Sequence, residues 1–210
     1  MRDTVCPGSL AHYGDQKEMN AQKKILVLFA SPKPGGNTAS MVNWFIEGAS
    51  SRGAQVETVI TSTLKYNALG CTSCRQCQQS EKFECVINDG VTPVLRKMTE
   101  ADVIVMATPL YFFSMSAQLK LVFDRMFSLY KWDNQAGIMR TPLKGKTLVL
   151  LASAFENVGL DALEKPFSLT ADYTGMQFAS LLIPDAGVSG DIAKKDDARK
   201  KAVELGERVA

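Results

Sequence analysis

Five short apolar runs, rich in strand-forming residues and separated by helical patterns, constrain this chain more than any other feature. They fall at 25 to 30, 56 to 60, 103 to 107, 147 to 152 and about 177 to 183. Four are nearly continuous rather than alternating, as in Val103-Ile-Val-Met-Ala107 and Thr147-Leu-Val-Leu-Leu-Ala152. Unbroken apolarity is what parallel strands require when helices cover both faces of their sheet. Met41, Phe45, Gly48 and Ala49 mark the face of one helix, and Leu119, Val122, Phe123, Met126, Phe127 and Tyr130 form a stronger stripe at spacings of three and four. A last helix is predicted from Asp191, with Ala198, Ala202, Leu205 and Val209 on its apolar face. Strands alternating with helices predict a doubly wound α/β sheet, whose ligands bind beyond the carboxyl ends of the strands. The loops at 31 to 38, 108 to 115 and 153 to 159 should therefore converge.

The first of these loops, Ser31-Pro-Lys-Pro-Gly-Gly-Asn37-Thr38, joins a strand directly to a helix. The first turn of a helix leaves several N–H groups without intrahelical partners, and the positive end of its dipole faces the same way. Gly35 and Gly36 allow close backbone approach, Ser31, Asn37 and Thr38 offer short polar side chains, and Lys33 adds a cation. The bland alternative is an ordinary turn capped by Asn37 or Thr38. Neither the Gly-x-x-x-x-Gly-Lys-Ser/Thr pattern nor Gly-x-Gly-x-x-Gly is present, so a single terminal phosphate fits better than a pyrophosphate, which points to a mononucleotide such as FMN.

The second loop, Thr108-Pro-Leu-Tyr-Phe-Phe-Ser-Met-Ser116, gathers aromatic residues at a strand end. Pro109 sets local geometry, and apolar side chains can wall a flat ring while N–H groups of residues 110 to 114 meet its polar edge. The alternative is that Tyr111, Phe112 and Phe113 only pack beneath the next helix.

Composition narrows the class. The chain has 210 residues, 46% apolar content and a formal charge of +2, enough for one well-filled domain and with no concentration of positive charge that implies a nucleic-acid partner. No apolar run approaches the roughly 20 residues that span a bilayer. Residues 1–23 read as an N-terminal extension, a flexible arm or a strap over a partner subunit, and 24–210 as the cofactor-binding domain with a cysteine-rich insertion at 70–88. No signal-peptide core is evident, and a reducing cytoplasm is expected. Cys6 and His12, the sole histidine, lie in the extension, which leaves no core histidine for imidazole metal sites or nucleophile-histidine hydrolysis.

The phosphate loop resembles that of the NADPH-dependent FMN reductase-like flavoproteins. Pro109 to Lys120 with Asp124-Arg125 resembles their flavin-ring loop and following helix, and Cys71-x-x-Cys74-x-x-Cys77 resembles the insertion of the iron-sulfur flavoprotein branch. The resemblance implies a flavodoxin-like three-layer sandwich with a five-stranded parallel sheet of order 2-1-3-4-5. It also implies bound FMN, reducing equivalents from NAD(P)H or another donor, and a homodimer or homotetramer. Carried over by position, Ser31, Lys33, Asn37 and Thr38 would hold the phosphate; Pro109, Leu110, Tyr111 and Phe112 would border the ring; and Ser153 and Ala154 would lie at its far edge. No side chain is assigned a catalytic role, because the flavin carries the chemistry. Lys120, Asp124 and Arg125 are read as structural, with Lys120 and Asp124 paired across one helical turn.

Cys71, Cys74, Cys77 and Cys85 are spaced by two, two and seven residues, and Ser73 stands where many relatives carry glycine. Three thiolates at such spacing with a fourth beyond a short loop can hold a 4Fe-4S cluster. Four-thiolate zinc and free or reversibly oxidised thiols remain open. Three functions follow: an FMN-dependent oxidoreductase passing electrons to a small acceptor such as a quinone or free flavin, a non-enzymatic iron-sulfur flavoprotein carrier, and a thiol or zinc redox sensor.

Overall fold

The computed structural model describes residues 22–133 and 137–210. Cys6, His12 and nearly all of the proposed extension lie outside the described residues. In chain order the strands are β1 (Lys24–Phe29), β2 (Gln55–Ile60), β3 (Val103–Pro109), β4 (Lys131–Asp133), β5 (Ile138–Arg140), β6 (Thr147–Ser153) and β7 (Gln177–Ile183). The helices are α1 (Asn37–Ser51), α2 (Val91–Glu100), α3 (Ala117–Phe123), α4 (Leu160–Thr174) and α5 (Asp196–Val209). The main sheet has the order β2-β1-β3-β6-β7 and every pairing in it is parallel, which is the expected 2-1-3-4-5 flavodoxin-like arrangement. None of the helices described is long and apolar enough to cross a membrane.

Strand periodicity divides the core into two layers. Leu26, Leu28, Ile104, Met106, Leu148 and Leu150 point toward α2, α3 and α4, while Ile25, Val27, Val103, Val105, Val149 and Leu151 point toward α1 and α5. Both faces being covered explains why the central runs read as continuous. The edge strand β2 is only half covered, and its burial breaks up accordingly.

Three elements differ from their sequence pattern. The apolar stripe from Leu119 to Tyr130 is α-helical only to Phe123 and continues as a 3-10 segment over Asp124–Leu129. Apolar spacings of three serve both helix types, so the stripe could not separate them. Asp191 opens a short 3-10 turn, Asp191–Lys194, and α5 itself starts at Asp196. The antiparallel hairpin β4–β5 has three residues per strand, too few for a periodic signal.

Helices α1 and α5 touch through reciprocal glycines. A Cβ on Gly48 would lie 2.0 Å from the Val203 carbonyl oxygen, and one on Gly206 would lie 2.1 Å from that of Phe45. Backbone cannot yield as a flexible side chain does, so overpacking should act near the top of its usual range of about 1–3 kcal/mol. That exceeds the ~1 kcal/mol helix-propensity gain of alanine. Gly48→Ala should therefore lower stability by about 2 kcal/mol, measured by urea denaturation.

Candidate functional site

The parallel strands deliver their following loops to one edge, as expected, and the loop after β7 joins the other three. Apart from Phe112 and Gly35, the residues singled out for the cofactor, Gly36 among them, line one cleft of about 280 Å³. Its other lining residues, Phe155, Gly187, Val188 and Ser189, were missed. The signal available for the last three was the turn-rich run Asp185-Ala-Gly-Val-Ser-Gly190 after a strand.

At one end of the cleft, α1 begins after Gly36 without a side-chain cap. The first-turn N–H groups of Asn37 and Thr38 have no carbonyl one turn behind them in the helix, so this end remains a donor-rich, positively polarised surface. The buried Ser31 hydroxyl accepts from the Lys33 N–H at 3.2 Å and curls the loop around the helix start. Neither Gly35 nor Gly36 has a positive φ, so the expected need for backbone freedom is not what places glycine here. A Cβ on Gly35 would meet nothing within 4 Å; its absence leaves open backbone for an anion to approach.

The side chain of Asn37 departs from its expected role. Its Nδ2 donates to the carbonyls of Ala186 (3.0 Å), Gly187 (3.3 Å) and Val188 (3.1 Å), and its Oδ1 accepts from the Gly190 N–H at 2.8 Å. The carboxamide is thus committed to folding the 186–190 loop over the cleft, which leaves the main-chain N–H of Asn37 for a ligand.

The ring loop is tied down at both ends. The Ser116 hydroxyl donates to the Ala30 carbonyl at 2.7 Å, and its N–H donates to Thr108 Oγ1 at 2.9 Å. Between them, Tyr111 and Ser114 exchange both main-chain hydrogen bonds, at 2.9 and 3.0 Å. The Leu110 N–H donates to the Ser153 carbonyl at 3.0 Å. These pairings correct the expectation that N–H groups throughout 110 to 114 are free for a ring edge, because those of Leu110, Tyr111 and Ser114 are occupied. Phe112 and Phe113 form the two-residue turn with φ of 45° and 62°, a conformation that favours asparagine and glycine. Phe113 lies against Gly159, where a Cβ would come within 2.3 Å of its ring. Phe112, 99% exposed, helps wall an apolar hollow of about 330 Å³ that shares Leu110, Ala154 and Phe155 with the cleft.

The residues present therefore fit FMN: uncapped helix donors, a hydroxyl and a lysine at one end, and an apolar wall at the other.

The cysteine segment forms a second site. Cys71, Cys74, Cys77 and Cys85 line one small cavity with Arg125, and all four are free thiols. Ser73 and Arg75 both have φ of 57°, a left-handed conformation that favours glycine and winds the loop tightly. Gln78 Nε2 donates to the carbonyls of Phe127 (3.3 Å) and Tyr130 (2.9 Å), fastening the loop to the 3-10 segment. Hydrogen bonds from the Gln76 N–H and from Thr72 lower the pKa of exposed Cys74, whereas burial raises that of Cys77. Four soft sulfur donors at one cavity suit iron-sulfur or zinc chemistry. In the positions shown, no three acidic, histidine or cysteine side chains among the described residues converge closely enough to hold a metal ion.

Arg125 Nη1 grips both carboxylate oxygens of Asp89, at 2.8 and 2.7 Å, with both side chains fully buried. Lys120 and Asp124 form the expected pair one turn apart.

A family model described as NADPH-dependent FMN reductase matches residues 23–181, and the chain belongs to that family. Among curated relatives, an iron-sulfur flavoprotein of Methanocaldococcus jannaschii is 35% identical over 102 residues, which span 49% of this chain and 51% of the relative. One from Methanosarcina thermophila is 34% identical over the same shares of the two chains, so the match spans about half the length of each. Among solved structures, an NAD(P)H:quinone oxidoreductase from Methanothermobacter marburgensis superposes with a TM-score of 0.67 at 19% identity, covering 90% of this chain and 97% of that one, which shows the shared fold.

Two measurements check these geometries. A non-glycine residue in the left-handed region is strained by about 1–2 kcal/mol, and Phe112 has almost no packing to lose. Phe112→Asn should raise stability by about 1 kcal/mol in urea. Burial pushes the Asp89 carboxyl up, but Arg125 and the N–H groups of Asn67 and Val91 outweigh it and hold its pKa below the ordinary value. A depressed carboxylate contributes stability above its unfolded pKa of about 3.9 and loses it as pH falls through the lower folded value. Urea titrations at stepped pH should show wild type weakening below about pH 4. Asp89→Asn, about 3 kcal/mol less stable at neutral pH, should lack that part of the slope.

Proposed function

We propose that this protein is an FMN-dependent oxidoreductase that takes electrons from NAD(P)H or a reduced carrier and passes them to a small acceptor such as a quinone or free flavin. The observation that carries the proposal is the single cleft with helix donors at one end and an apolar wall at the other. Membership of the FMN reductase family supports it.

Bound FMN would supply hydride and single-electron chemistry. Ser31, Lys33 and the first-turn N–H groups of α1 would hold its phosphate, with Thr38 buried beside them. Pro109, Leu110 and Tyr111 would border the ring, and Ser153 and Ala154 would close its far edge. Main-chain bonds from Ala154 to Ile183 (3.0 Å) and from Ala186 to Ala154 (2.8 Å) keep that edge rigid. Phe112 and Phe155 flank the open apolar hollow, where they would exclude water from a flat acceptor.

A second reading, electron carriage between proteins through a 4Fe-4S cluster on Cys71, Cys74, Cys77 and Cys85, is favoured by the gathering of all four thiols with Arg125 at one cavity. The two readings combine if the cluster is a way station for electrons that the flavin receives. Exposed Leu169 and Tyr173 on α4 support assembly as a homodimer or homotetramer, and the free thiols accord with a cytoplasmic location.

Purified protein should be yellow, bleach with NAD(P)H or a low-potential donor, and recolour with a quinone. Charge-assisted hydrogen bonds contribute about 1.5–3 kcal/mol each, so Ser31→Ala combined with Lys33→Met should raise the FMN Kd tenfold or more by fluorescence titration. Colourless protein that takes up no flavin on reconstitution overturns the proposal.

A further inference from the structure

The apolar hollow beside the cofactor cleft also carries a charge. It measures about 330 Å³ and shares Leu110, Ala154 and Phe155 with the cleft, so an occupant would lie next to the ring end of that site. The volume is at the small end of the roughly 300–1,000 Å³ typical of ligand sites and suits a molecule of two or three fused rings. Phe112, Phe113 and Phe155, all exposed, gather three aromatic rings at this hollow. The face of an aromatic ring is the negative side of its quadrupole and attracts cations. Glu156, likewise exposed, is the one charged residue among the described residues that line the hollow. No cation among the described residues forms an ion pair with it. Lys33, the cation of the cleft, does not line the hollow. The two ends of the site thus have opposite sign, with a lysine and helix donors at the phosphate end and a carboxylate with aromatic faces at the other.

The backbone is strained where it presents this surface. Phe112 and Phe113 have φ of 45° and 62°, and the Phe113 ring is set against Gly159. Strain of this kind persists at ligand clamps, where the surroundings over-determine it. We propose that Glu156 and the exposed rings beside it make the hollow select flat aromatic electron acceptors that carry positive charge, of the N-alkylated heteroaromatic class, over anionic acceptors of the same shape. The inference rests on the oxidoreductase reading above and narrows its acceptor. Reduction of an N-alkylphenazinium takes up two electrons, supplied by NAD(P)H or the reduced carrier through the proposed activity, and one proton from solvent. The product is a neutral dihydrophenazine. The attraction to Glu156 is lost with the charge, so the hollow holds the oxidised acceptor and releases the reduced one. An anionic acceptor, free FMN included, meets repulsion at the same place.

Glu156 is exposed, so its substitution tests charge without disturbing the core. FMN-loaded wild type, Glu156→Gln and Glu156→Lys would be titrated by calorimetry with two flat probes that the flavin does not reduce, the cation N-methylquinolinium and the anion naphthalene-2-sulfonate. Wild type should bind the cation more tightly. A unit charge beside an exposed carboxylate changes affinity by about threefold, in opposite senses for the two probes. Glu156→Gln should therefore reduce the cation-to-anion preference about tenfold, and Glu156→Lys should invert it. Reduced protein mixed anaerobically with N-methylphenazinium, 2-methyl-1,4-naphthoquinone or 1,2-naphthoquinone-4-sulfonate should show the same order in the second-order rate of flavin reoxidation, with the uncharged quinone least affected by either substitution. FMN affinity should be equal in all three proteins. Preferences that do not move in the FMN-loaded variants overturn the inference and leave the oxidoreductase reading standing. Variants that change the sedimenting mass but not the preferences also overturn it, by assigning the hollow to a contact between copies of the chain. Wild type that takes up no FMN overturns the oxidoreductase reading, and the inference falls with it.

Discussion

Every pairing in the main sheet is parallel, and both halves of the site depend on that constraint. Parallel strands require a crossover between each pair, so every loop leaving a carboxyl end arrives on the same edge. The phosphate loop, ring loop, 153–159 loop and 184–190 loop meet there although they come from distant parts of the chain. Asn37 converts this proximity into structure. One side chain at the start of α1 joins the first loop to the last, with an |i−j| separation of 149 residues for its bond to Ala186. Its amide saturates three carbonyls and at least one N–H of a loop that has no regular structure of its own.

The parts of the fold legible in the sequence are those where burial is complete. Val27, Val105 and Leu150 have no exposed surface, and runs of such residues cannot be mistaken for surface elements. The ring loop was legible for a related reason: three consecutive aromatics in a loop need a purpose beyond connection. What was not legible is pairing. Nothing in the letter N at position 37 distinguishes a side chain that faces a phosphate from one that faces a carbonyl across the cleft. The same holds for the Phe112–Phe113 turn, where composition predicts the opposite of the observed conformation. Strained backbone at a non-glycine pair is tolerated only where surrounding contacts over-determine it, and here the Tyr111–Ser114 exchange and the Phe113–Gly159 contact do so.

The cysteine segment illustrates a different limit. Spacing names the donor atoms, but the contacts that hold the loop come from residues outside it. Asp89 organises the region three ways: it pairs with Arg125, accepts from the Val91 N–H at the start of α2, and accepts from the Asn67 N–H. Each bond closes a different stretch of chain around the cysteine loop. A loop with only one short 3-10 turn is thereby held in place without a disulfide.

The cofactor cleft and the cysteine loop share one structural member. Ser116 caps α3 and locks the ring loop to the end of β1, while the 3-10 continuation of the same helix carries Arg125 and receives Gln78 from the cysteine loop. From Ser116 to Arg125 the chain rises only about 15 Å at helical pitches. The ring loop at one end and the cysteine loop at the other are held apart by this helical element rather than by loops. The helix changes from α to 3-10 at Asp124. It turns Arg125 inward against Asp89 while Phe127 and Tyr130 present their carbonyls to Gln78, so the helix serves as a spacer with different partners at its two ends.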